Sequence, residues 1–90
     1  MTRYARTPEV METAVDDELF VVLPGGEEIF HLNAMAAALW RALAEPASNG
    51  ELTELFQAAF PELKAQQLAA DLRETLRRLH DDGLLTEAGS

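Results

Sequence analysis

Between Glu28 and Trp40 the hydrophobic positions change period in mid-run. Ile29, Phe30 and Leu32 form a short β-branched and aromatic stretch that suits a pleated, half-buried surface, whereas the alanine-rich run after them reads as a helix. Asn33 stands at the change, where a side-chain oxygen can accept an orphan backbone N–H of the first helical turn, so strand and helix meet at an N-cap without a loop. Upstream, Leu19-Phe20-Val21-Val22-Leu23 is apolar at every position and predicts a strand that is central or covered on both faces. Val10 to Thr13 predicts a weaker strand, set apart by the polar turn at Asp16-Asp17. Pro24-Gly25 offers the residues favoured at the central positions of a type II turn, so the chain should reverse there and return through Glu28 to Leu32. The expected sheet is a three-stranded antiparallel meander.

Three helices are expected to follow. The first, about Ala34 to Ala44, is apolar nearly all round with Arg41 its one charge, as in a buried helix. After the break at Pro46, Ser48-Asn49-Gly50-Glu51 has the spacing of a capping box that opens a second helix. In it Leu52, Leu55, Phe56, Ala59 and Phe60 share one face, and Pro61 ends it. The third and longest runs from about Lys64 to Asp82 with a stripe of Leu68, Leu72, Leu76 and Leu79, and Gly83 suits its C′ position. Leu84 and Leu85 then fold back as a hydrophobic clasp or a short extra strand, while Met1 to Thr7 and Thr86 to Ser90 are expected to be disordered. The pattern predicts one α+β domain over residues 1–90, winged-helix-like, with a three-stranded antiparallel sheet followed by three helices and an ordered core over about residues 8–85.

Composition narrows the function. Ninety residues at 48% hydrophobic content can build one core, and a net charge of -9 surrounds it with a field that repels nucleic acid and anionic lipid. With no cysteine there is no disulfide framework, thiolate metal site or thiol nucleophile. Arg3 and Arg6 are not followed by an apolar segment of the kind a signal peptide needs, and no apolar run approaches the roughly 20 residues of a membrane span; the reading is a cytoplasmic protein with no membrane partner. His31 and His80 are far apart without ligand spacing, which speaks against a metal site. Asp16-Asp17-Glu18 and Asp81-Asp82 fall in a turn and at a helix end, where solvated roles prevail over acid–base chemistry. Ser48 already caps a helix, Gly25-Gly26 lacks a phosphate-loop context, and Trp40 is expected in the core with an indole N–H in need of a partner. No catalytic set and no cofactor site emerge, so the chain does not read as an enzyme.

Val21-Val22-Leu23, the Pro-Gly turn, Phe30-His31-Leu32-Asn33 leading into Ala37-Ala38-Leu39-Trp40, and Leu76 to Leu79 before Asp82-Gly83-Leu84-Leu85 together resemble the PqqD family. These are small peptide-binding proteins of pyrroloquinoline quinone biosynthesis and, more widely, precursor-recognition elements for ribosomally made, modified peptides. The likeness spans about Pro8 to Leu85; its most specific part is the aromatic-x-Leu-Asn step with tryptophan seven residues beyond the asparagine. Phe30 takes a place where the family more often has tyrosine. The resemblance implies a non-catalytic peptide chaperone: the leader of a precursor peptide adds as a strand to the edge of the third expected strand, Glu28, Ile29, Phe30, His31 and Leu32, with the last helix as the groove's other wall. The implied partners are that leader peptide and a modifying enzyme, either a radical-SAM protein or a leader peptidase; a homodimer is also admitted.

On the last helix, at about 100° per residue, the arc that holds Leu72 and Leu76 is flanked by a stripe of His80, Arg73, Gln66 and Arg77. On so acidic a chain, Arg73, Arg77 and His80 are candidates to pair with acidic leader residues across the groove. The alternative is a solvated face, and periodicity does not say which flank of the leucine arc faces the third strand. Two other functions fit the same elements: a winged-helix DNA-binding regulator, against which the charge argues, and an acidic protein–protein adaptor that binds an enzyme but no peptide.

Overall fold

A computed structural model describes residues 2–88. The meander forms as expected from β2 (Met11–Val15), β3 (Glu18–Val22) and β4 (Ile29–Leu32), antiparallel in the order β2-β3-β4. The register Leu19↔Leu32 and Val21↔Phe30 places the core-facing side chains of β3 and β4 opposite one another. Leu19, Val21 and Leu32 are buried, and Phe30 packs partly buried against the same core. Gly25 takes φ +74°, and the Gly26 N–H donates to the Leu23 carbonyl at 3.0 Å, closing the turn that Pro24-Gly25 predicts.

The helices are α1 (Ala34–Ala42), α2 (Asn49–Ala59) and α3 (Ala65–Asp81). Asn33 caps α1, its Oδ1 accepting from the Ala36 N–H at 2.9 Å. Ser48 and Glu51 complete the capping box of α2 through bonds of 3.2 and 3.0 Å. Past the end of α3, Leu84 N–H bonds the Leu79 carbonyl at 2.9 Å and Gly83 N–H the His80 carbonyl at 3.0 Å, with Gly83 at φ +83°. That pair of bonds is a Schellman motif. All four leucines of the α3 stripe are buried. On α2 only Leu52 and Phe56 are buried, whereas Leu55 and Phe60 stay exposed, so the apolar face of that helix is narrower than its spacing predicts.

The expectation of disordered ends is corrected. Arg3–Arg6 forms β1, which pairs antiparallel with both β5 (Ala47–Ser48) and β6 (Leu85–Ala88) in a second three-stranded sheet of order β5-β1-β6. The chain does turn back into a strand, which begins at Leu85 with Leu84 buried in the turn before it, but the strand continues to Ala88, and the N-terminal residues form its partner. Arg6 explains why so polar a segment orders. Its guanidinium lies 5.2 Å from the Trp40 ring centroid, donates to the Trp40 carbonyl at 2.9 Å and the Arg41 carbonyl at 3.3 Å, and reaches Glu12 at 3.7 Å. The Thr7 hydroxyl and N–H donate to the Gly83 and Leu84 carbonyls at 2.6 and 2.9 Å, so the chain start rests on the turn after α3. Trp40 is in the core as expected, but its indole N–H has no partner among the described residues. Met1, Gly89 and Ser90, within the ends expected to be disordered, lie outside the described residues.

Candidate functional site: a sheet edge across a cleft from a helix

β4 is an edge strand, with β3 on one side and no strand on the other among the described residues. Which of its backbone groups face outward follows from the β2–β3 hairpin. Its loop is the two residues Asp16-Asp17, so the flanking pair Val15↔Glu18 is a hydrogen-bonded one, and alternation along β3 leaves Leu19 and Val21 to bond β4. Their partners Leu32 and Phe30 are thereby engaged. Ile29 and His31 turn their N–H and C=O groups to the open edge, while their side chains stand on the outer face of the sheet. His31 pairs with Glu18 through Nε2 and Oε1 and lies against Phe20 with ring centroids 5.0 Å apart.

Beyond that edge is a cleft of about 340 Å³ lined by Phe30, His31, Leu32 and Asn33 on one side and Arg78, Leu79 and Asp82 on the other. It owes its existence to Asn33: a cap without a loop starts α1 directly at the end of β4, and α3 crosses alongside. Leu72 and Leu76, expected on the groove wall, are fully buried in the core and do not line the cleft, and Glu28 precedes β4 in the exposed turn. A second cleft of about 220 Å³ lies between Met35 on α1 and Leu68 and Asp71 on α3. Asp71, Arg78 and Asp82 fall on one flank of the leucine arc at helical spacing, and that is the flank turned to β4 and α1.

Arg73 and Arg77 lie on the other flank, lining a separate depression with Ala70 and Glu74. His80 meets the edge of the Tyr4 ring, 6.2 Å between centroids, and lies 3.9 Å from Glu87, so it borders the terminal sheet. The structure thus brings Phe30, His31 and Leu32 together with Arg78, Leu79 and Asp82, and sets Arg73, Arg77 and His80 apart from them. Arg78 carried no separate signal in the chain, because both flanks of the stripe hold arginine and only the packing of α3 chooses between them. Arg73, Arg77 and Arg78 have no ion-pair partner among the described residues.

Residues 18–85 match the family model of coenzyme PQQ synthesis protein D (PqqD). The chain belongs to the PqqD family. A solved structure of TbiB1 in complex with the TbiA(beta) leader peptide is similar to it over 96% of this chain and 99% of that one, at 25% identity and a TM-score of 0.79. No curated protein matches in sequence. The PqqD match begins at β3 and ends at the first residue of β6, so it contains β4, α3 and the cleft between them.

Proposed function

We propose that this protein recognises the leader segment of a ribosomally made precursor peptide by strand addition to β4 and holds it for a modifying enzyme, without chemistry of its own. The observation that carries this reading is the open edge of β4 facing α3 across a cleft, in a PqqD-family fold whose similar solved structure holds a leader peptide. Backbone groups of Ile29 and His31 would pair with the leader, supplying affinity that does not depend on its sequence. Leader side chains pointing inward would meet Phe30, Leu32, Leu79 and the Arg78 guanidinium. Asp82 beside Arg78 gives that wall both signs of charge. The partner enzyme is a radical-SAM protein or a leader peptidase, and the proposed setting is the cytoplasm, where precursor peptides leave the ribosome.

Proline scanning along β4 tests the mode of binding. Ile29→Pro or His31→Pro removes a donor that only the leader uses, so leader affinity should fall by about tenfold or more while the thermal midpoint changes little. Phe30→Pro removes a donor used by β3 and should lower the midpoint itself. Unchanged leader binding by both edge variants, read by fluorescence anisotropy of a labelled leader, would rule out strand addition at β4.

A further inference from the structure

The outer face of the β2-β3-β4 sheet turns large apolar side chains to water where an antiparallel sheet normally turns polar ones. In register, Met11, Val22 and Ile29 form one apolar row across the three strands; Phe20 adjoins it between Thr13 and His31, and Val15 lies opposite Glu18, whose carboxylate pairs with His31. Met11 is 71% exposed and Ile29 64%. Apart from His31, which is paired with Glu18, the charged groups around this face are of one sign. No lysine or arginine occurs between Arg6 and Arg41, while Glu9, Glu27 and Glu28 lie near the end at which β2 and β4 begin, and Asp16, Asp17 and Glu18 stand at the other. The arginines and the lysine of the chain are confined to β1, α1 and the α3 region. Contiguous exposed apolar area rimmed by charge marks a protein interface.

We infer that this face docks a protein surface with an apolar centre and a lysine- and arginine-rich rim, and, resting on the function proposed above, that its owner is the peptide-modifying enzyme. Charge selects that occupant. A second copy laid on this face would oppose carboxylates to carboxylates with no lysine or arginine of either copy's sheet between them and with His31 already paired to Glu18, and an anionic membrane or nucleic acid meets the same repulsion. Geometry allows both partners at once. The face is perpendicular to the edge of β4, so an enzyme seated there leaves the outward groups of Ile29 and His31 to the leader, and an added leader strand would extend the face by its own alternate side chains.

The test uses two double variants away from the edge: Met11→Ser with Phe20→Ser, which removes apolar area, and Asp17→Lys with Glu27→Lys, which reverses the rim. Asp16 is spared because its φ of +57° suits few residues. The probe is a purified radical-SAM peptide-modifying enzyme, with a leader peptidase as a second arm, measured by surface plasmon resonance, with anisotropy of the labelled leader in parallel. The apolar variant should lose enzyme affinity by about tenfold or more. The charge variant should slow association several-fold at low salt, an effect that fades once the screening length falls below about 10 Å. Leader affinity should be unchanged in both. Should Phe20→Ser prevent folding, Met11→Ser with Val15→Ser on the exposed strand β2 carries the same expectation. Wild-type enzyme affinity in both variants with leader binding intact overturns the docking face and spares the proposed function, whereas a wild-type chain that binds no leader overturns that function first. A wild-type dimer in sedimentation that the apolar variant dissociates assigns the face to a second copy and overturns the inference as well.

Discussion

Arg6 ties β1 to the rest of the molecule through one planar cation. It stacks on Trp40, donates to two α1 carbonyls and reaches Glu12 on β2, so its removal costs packing and charged hydrogen bonds together. Arg6→Ala should destabilise the fold by about 1.5–3 kcal/mol in urea denaturation, and Arg6→Lys, which keeps the charge without the planar fork, should recover only part of it. Asn33 is the second critical position. Asn33→Ala leaves the Ala36 N–H without its 2.9 Å acceptor and should cost about 1 kcal/mol, while Asn33→Ser should be close to neutral. Glu51 supplies a pH signature: the Ser48 backbone N–H, with smaller help from the Ser48 hydroxyl and Arg3, holds its carboxyl below the usual carboxylate range. A depressed folded-state pKa contributes stability above the unfolded value and loses it as pH falls through the folded one. Glu51→Gln should therefore lie below wild type in thermal midpoint near neutral pH and converge with it once acid protonates the Glu51 carboxyl in the folded state.

At the scale of elements, the junction of β4 with α1 and the end of α3 decide the shape of the cleft. Gly83 keeps α3 from running on and returns the chain toward β1, and a Cβ placed there would meet only Leu23 Cδ1 at 3.5 Å, an ordinary contact. The cost of Gly83→Ala is then that of the backbone alone, about 1–2 kcal/mol for an L-residue at positive φ, with β6 the element most loosened. Hydrogen exchange should show it: the amides of β1 and β6 should lose protection before those of β3. This part of the fold was hard to read in the chain. Arg3–Arg6 has no hydrophobic period because its order comes from pairing with Leu85–Ala88 and from Trp40, residues remote in sequence. The edge of β4 was legible, since a meander with an apolar middle strand must leave its last strand open on one side.

For the whole molecule the placement of the cations matters most: no lysine or arginine lies on the β2-β3-β4 sheet, while Arg73, Arg77 and Arg78 lie on α3 among Asp71, Glu74 and Asp81. If Arg78 meets acidic leader residues in the cleft, Arg78→Glu should raise the leader dissociation constant several-fold at low salt, with the difference shrinking as ionic strength rises. Arg73→Glu with Arg77→Glu, on the flank away from β4, should give isotherms close to wild type under the same conditions. The opposite ranking would mean that the leader runs along the other side of α3.

Local chemistry determined by itself the elements that depend on neighbours in the chain. Asn33, Ser48 with Glu51, Pro24-Gly25 and Gly83 each act within a few residues, so caps, turn and helix end were readable one by one, and the periods of apolar residues supplied strands and helices. The PqqD resemblance also rested on such local steps. Tertiary structure alone decided what depends on distant partners: that the chain ends form a second sheet, that Leu55 and Phe60 stay exposed, and that α3 turns Arg78 rather than Arg73 and Arg77 toward β4. A helix with one apolar arc has two equivalent polar flanks, and rotating it about that arc costs nothing that its own sequence records. Only the packing of Leu68, Leu72, Leu76 and Leu79 against the sheet and its neighbouring helices breaks that symmetry and so selects the residues that face the cleft.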